Sequence, residues 1–144
     1  MMVNELKRYY FLLIFPLAVI FITIYLLQLI GLETKLNLLS GKASNVLMFV
    51  ITASFGIAFP TLYRTWFAKR TEKRKSLEPY EFLKFEKRIL LIALVAPYLA
   101  VIAIIVNIHI QFLTGIFLIA LYSLYFFYPS KKRIGLDKKI FRVK

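Results

Sequence analysis

The sequence predicts an all-α, polytopic membrane protein: four transmembrane helices in one bundle, both termini on the cytoplasmic side, and the second and third helices extended into the cytoplasm. Three observations carry this expectation. Across 144 residues, 60% are hydrophobic, 19% are charged and the mean hydropathy is +0.73, more apolar surface than a soluble domain of that length can bury. Four apolar runs, at about 9–32, 45–67, 89–107 and 110–128, are each long enough to cross roughly 30 Å of hydrocarbon at about 1.5 Å per residue. The basic residues, finally, are segregated to alternate ends of those runs. What lies between the runs leaves room for a single domain, 1–144.

The first run follows Lys7 and Arg8 in the manner of a secretory signal. It is too long for an ordinary signal core, and "LQLIGLETK" offers no small-x-small cleavage site, so a retained anchor is expected. The connection "ETKLNLLSGKAS" is apolar enough to dip into headgroups as a short helix ending near Gly41.

In the second run no Gly or Pro intervenes between Thr61 and Ser76, so the helix should continue past the bilayer as a charged stalk. Glu78-Pro79 reads as a restart, because proline suits the first helical turn and its predecessor resists the helical region. Phe82, Phe85 and Ile89 at i, i+3, i+7 then predict an interfacial helix running into the third span. The segment 68–88 becomes a basic hairpin protruding into the cytoplasm. The turn "NIHIQ" is so short that the third and fourth helices must be antiparallel neighbours. The tail, 129–144, mixes cations with Ile134, Leu136, Ile140 and Phe141, which suits a segment lying on the membrane surface.

Net charge is +13, and 18 of the 20 basic residues fall in the N-terminus, the 68–88 region with its approaches, and the tail. The positive-inside rule makes that side cytoplasmic. Tyr and Trp concentrate at the same boundary, with Tyr9, Tyr63, Trp66, Tyr80, Tyr122 and Tyr125 among them.

Several chemistries are poorly served. Zero cysteines exclude disulfides, thiolate metal sites and cysteine nucleophiles. The spans carry no Asp, Glu, Lys or Arg between the interfaces, which removes the usual marks of proton relays and ion-coupled transport. Thr23, Tyr25, Gln28, Thr52, Ser54, Tyr98, Thr114 and Ser123 read as interhelical hydrogen-bonding groups in preference to the lining of a pathway. His109, the one histidine, lacks companion ligands and reads as an exposed turn residue. Glu78, Glu81 and Glu86 alternate with Lys84, Lys87 and Arg88, the pattern of surface ion pairs along a helix. No nucleophile motif or phosphate loop occurs. The expectation is therefore a protein without catalysis, cofactor or metal.

Two stripes of small residues stand out: Ala93, Ala96, Ala100 and Ala103 on the third helix, and Thr52, Gly56 and Pro60 on the second. Small residues let helix backbones approach in lipid, so these mark either packing within the chain or an oligomer interface. Pro16, Pro60 and Pro97 add bends or weak points to three helices.

The cations Arg64, Lys69, Arg70, Lys73, Arg74, Lys75, Lys131, Lys132 and Arg133 are the candidate contact residues. Their plainest role is topology together with attraction to anionic headgroups, at about 1 kcal/mol each near the surface. A second is docking of a protein partner, and a third, phosphate contact with nucleic acid, lacks any base-reading module. The expected function is thus an oligomeric or partner-binding membrane subunit or effector with the basic hairpin as contact surface. The alternative is a small oligomeric channel or transporter for ions or uncharged solutes.

Overall fold

A computed structural model describes residues 2–32, 36, 41–72 and 76–143. Among these residues the chain is helical, without a strand: α1 (Met2–Leu29), α2 (Lys42–Ala53), α3 (Phe59–Thr71), α4 (Pro79–Ala93), α5 (Val95–Ile105), α6 (Ile110–Phe126) and α7 (Lys131–Ile140). A π-helical segment, Ser54–Ala58, joins α2 to α3, and Leu94 joins α4 to α5. Three helical stretches, Met2–Leu29, Lys42–Thr71 and Pro79–Ile105, are long and apolar enough to cross a membrane. A fourth qualifies only as a bent pair, Ile110–Phe126 with Lys131–Ile140, whose axes turn by 74°. Helices of this length and apolarity suggest a membrane protein.

The ends of these helices have local causes. The stalk closes at Thr71, and α4 opens at Pro79 after Glu78 in extended conformation (φ −70°, ψ 141°), as a proline in the first turn requires. Ser130 caps α7, its Oγ accepting from the Arg133 N–H at 3.1 Å. α1 stops short of the expected residue 32 because Gly31 turns left-handed (φ 81°), letting Leu32 N–H reach the Leu27 carbonyl at 3.1 Å. The same closure ends α5 at Asn107 (φ 59°) and α7 at Arg142 (φ 51°). The helix expected before Gly41 falls largely on 33–35 and 37–40, outside the described residues.

Of the three prolines inside the apolar runs, Pro16, Pro60 and Pro97, two mark breaks. A proline has no N–H for the carbonyl four residues earlier, which for Pro60 is Gly56. The π-helical turn sits there, and the Ser123 hydroxyl on α6 donates to the Gly56 carbonyl at 3.2 Å. Leu94 interrupts α4–α5 three residues before Pro97. Pro16 differs: α1 runs through it unbroken.

α4–α5 is the central helix. Half of its most apolar window is buried, against 17% for α1 and 22% for the α2–α3 helix. α5 packs most extensively on α6, its antiparallel neighbour through the short turn. The buried interior comprises a large cluster at the charged end around Leu6, Phe82, Phe85, Leu90 and Ile134, and a smaller one around Met48, Ala103 and Ile116. α1 touches the rest through Leu6, Tyr10, Leu17 and Ile24, reinforced by two phenol hydroxyls: Tyr10 donates to the Leu124 carbonyl (2.7 Å) and Tyr98 to the Leu13 carbonyl (2.5 Å).

Candidate functional site

The charged end of the molecule gathers most of the residues singled out by charge. On α4, Phe82, Phe85 and Ile89 are 0–2% exposed, so the i, i+3, i+7 stripe faces protein. Phe67 from the stalk stacks on Phe85 with ring centroids 3.9 Å apart, and Phe141 after α7 meets Phe85 edge-on at 5.2 Å. Next to them Leu77 pairs in parallel with Val143, the Leu77 N–H donating to the Arg142 carbonyl at 3.3 Å. The described parts of the hairpin and the tail are thereby one packed unit.

Charge is buried inside that unit. Glu86 is 1% and Asp137 3% exposed. Arg133 donates from Nη2 to Glu86 Oε2 (2.8 Å) and from Nη1 to the Phe127 carbonyl (2.5 Å), while its Nε lies 3.7 Å from Asp137 Oδ2. Arg64 reaches Asp137 Oδ1 from α3. Two guanidiniums and two carboxylates thus tie α3, α4 and α7 together, a charge-matched set in a poorly solvated place. Glu86 lies on the polar turns of α4 that precede the apolar stretch beginning at Ile89. Its carboxyl is raised to about 7, chiefly by burial and in smaller part by Asp137, against the opposing pull of Arg133 and Arg64.

Placement of the candidate contact cations is uneven. Lys69, Arg70, Lys131 and Lys132 are exposed, with the Arg70 guanidinium 5.5 Å above the Trp66 ring. Arg64 and Arg133 are turned inward to the carboxylates, with side-chain exposures of 38% and 16%. Lys73, Arg74 and Lys75 lie outside the described residues. On the outer face of α4, Lys87 pairs with Glu5 of α1 at 2.5 Å, joining the first helix to the same unit.

The small-residue stripes turn to the interior of the chain. Thr52, Gly56, Pro60, Ala93, Ala96, Ala100 and Ala103 are all buried against neighbouring helices. A Cβ placed on Gly56 would lie 2.6 Å from Ile119 Cγ2 and 3.2 Å from Ala96 Cβ, so three helices meet at that backbone.

Concave surface at this end is divided among several grooves. One of about 310 Å³ lies between α3 and the end of α7, lined by Thr65, Lys69, Glu72 and Arg142. Another, about 360 Å³, lies between α3 and α4 with Arg70, Lys84 and Arg88 over Tyr63, Phe67 and Phe85. The largest of the three, about 650 Å³, follows α6 from Leu121 to Tyr128 and ends at Arg64, Ser130 and Arg133. Among the described residues no group of three or more His, Asp or Glu is placed to hold a metal, and His109 is exposed at the start of α6.

Sequence reading assigned Glu86 to a surface ion pair and gave Asp137 no role. Both acids sit on the apolar stripe of their own helix, Glu86 between Phe82 and Ile89 and Asp137 between Ile134 and Phe141, each at helical spacing. That register is the signal that a net-charge count overlooks. Compared with family models, curated proteins and solved structures, the chain has no match.

Proposed function

We propose that the chain is a small, non-catalytic integral protein of a cytoplasmic-type membrane, a four-helix bundle with both termini in the cytoplasm. In this reading it serves as a membrane subunit or effector that assembles with copies of itself or with a cytoplasmic or membrane protein partner. Orientation is supported by the 18 of 20 basic residues on one set of ends, and no cofactor or nucleic acid is invoked.

The single observation that carries the reading is the fusion of hairpin and tail through Phe67, Phe85, Phe141 and the Leu77–Val143 pairing. Two basic segments far apart in sequence become one packed platform. Its exposed cations Lys69, Arg70, Lys131 and Lys132 are available to acidic partner groups or anionic headgroups, while Arg64 and Arg133 brace it from within. The channel alternative draws less support. Within the apolar helices the Thr52, Ser54 and Thr114 hydroxyls are taken by carbonyls of their own helices at 2.8–2.9 Å.

The test reverses Lys69, Arg70, Lys131 and Lys132 to glutamate together and measures assembly of the purified protein in mild detergent by light scattering, with co-purifying partners identified by mass spectrometry. Self-association or partner recovery should drop while insertion, read by terminal reporter fusions, is retained. Unchanged assembly in a correctly inserted variant sinks the platform as the contact surface.

A further inference from the structure

We infer that the groove along the end of α6 is a binding site for one anionic phospholipid, with an acyl chain on Leu121, Leu124 and Tyr125 and the phosphate at Arg64. At about 650 Å³ the groove is within the range of ligand sites and about twice either of the other two grooves described above. Its chemistry is polarised along its length. The α6 wall is aliphatic and aromatic, whereas the far end holds Arg64, Ser130 and Arg133. An occupant matching both ends is an amphiphile.

The charge of the head follows from the ion pairs. Glu86 and Asp137 neutralise the equivalent of two cations, yet Arg64, Arg133, Lys131 and Lys132 converge on the start of α7, so positive charge is left over. Arg133 is committed through Nη1, Nη2 and Nε. Arg64 gives Nη2 to Asp137 and keeps 38% of its side chain exposed, and a guanidinium has further N–H donors to offer an anion. Phosphate, which takes two parallel N–H bonds from one guanidinium, suits it.

The source of the amphiphile follows from the surface beside the groove. Leu118, Leu121 and Tyr125 are 64%, 58% and 87% exposed on α6, continuous with the apolar face that a spanning helix turns to hydrocarbon. A molecule reaching the groove comes from the lipid leaflet. This rests on the reading that the charged end lies at a membrane interface, and it does not depend on a protein partner.

Native mass spectrometry of the detergent-solubilised full chain, titrated with phosphatidylglycerol and with phosphatidylcholine of the same acyl chains, tests the site. One phosphatidylglycerol should be retained about ten-fold more tightly than phosphatidylcholine, which carries the same phosphate but adds a choline cation that the uncompensated charge of Arg64, Lys131 and Lys132 repels. Leu121→Trp, which fills the groove without touching an ion pair, should abolish that retention. Arg64→Gln, which removes a phosphate contact open to both lipids, should weaken the retention of each and narrow the difference between them. Equal retention of the two lipids, a preference unaltered by Leu121→Trp, or displacement of phosphatidylglycerol by inorganic phosphate alone would each overturn the lipid site. The variants differ from the four cations of the assembly test, so either proposal can fail while the other stands.

Discussion

The helix crossing at Gly56 and the hairpin–tail unit hold the same chain together by opposite means. At Gly56 there is almost no side chain: backbone meets Ile119, Ser123 and Ala96 directly, and one hydroxyl satisfies a carbonyl that Pro60 leaves free. At the charged end, bulk and charge do the joining, through stacked phenylalanines and a buried pair of arginines with a pair of acids. In the proposed membrane placement hydrocarbon accounts for the first solution, because apolar side chains gain little by leaving lipid for each other and close approach must supply the attraction. Water explains the second, since aromatic burial is favourable only where water is the alternative. In that proposed placement the two regions mark where each solvent ends.

Enlarging the crossing should do the most damage. Gly56→Leu forces side-chain atoms into Ile119 and Ala96, and a loss of about 3 kcal/mol or more is expected from overpacking. Thermal unfolding in detergent, followed by circular dichroism, measures it; a melting temperature equal to wild type would mean the helices are not in contact there.

The charged end should break comparably when its hub is removed. Arg133→Met leaves Glu86 and Asp137 buried with one guanidinium between them, an expected cost of about 3–5 kcal/mol. Replacing Glu86, Arg133, Asp137 and Arg64 together by apolar residues of similar volume should recover most of that loss. If the fourfold variant is no more stable than Arg133→Met, the charges are not acting as a matched set.

Acidity separates the regions without changing their shape. Burial holds the folded-state Glu86 carboxyl up at about 7, above its ordinary 4.5, so between those values the folded protein binds a proton that the unfolded chain has released. The group adds stability below its unfolded value, and the contribution is lost as pH rises through the folded one. Wild-type melting temperature relative to Glu86→Gln should therefore decline between about pH 5 and pH 8. A Gly56 variant should show the same decline, because the crossing has no titratable group. A flat difference between wild type and Glu86→Gln would place the carboxyl in water.

The smallest effect is expected at Ser123. Its replacement by alanine strands the Gly56 carbonyl in an apolar setting, worth about 0.6–1.7 kcal/mol for a hydrogen bond between membrane helices. A double-mutant cycle with Pro60→Ala, which restores the missing N–H donor, should shrink that cost; full additivity would deny the coupling.

These contrasts also mark what the sequence could convey. The apolar runs, the restart at Pro79 and the antiparallel turn before α6 were legible because each depends on a few adjacent residues. The contact of Ser123 with Gly56 was not, since it joins residues from different helices whose rotations no local pattern sets. Glu86 and Asp137 lay between these cases. Their positions among Phe82, Ile89, Ile134 and Phe141 announced burial, but the partner of Glu86 is Arg133, on a segment 47 positions away. The stop at Gly31 was missed, the run being read to residue 32, although a glycine two residues past the helix stands where left-handed closure favours it.

The pairing of Leu77 with Val143 brackets four helices, α4 to α7. During synthesis Leu77 emerges long before its partner, and the phenylalanines beside it stay without the Phe141 ring until α5 and α6 have been threaded and turned. Docking of the tail thus records that the intervening helices have been placed. A chain with α6 misplaced would carry an uncovered Phe67–Phe85 face, the kind of apolar surface by which quality-control proteases and chaperones recognise unfinished membrane proteins.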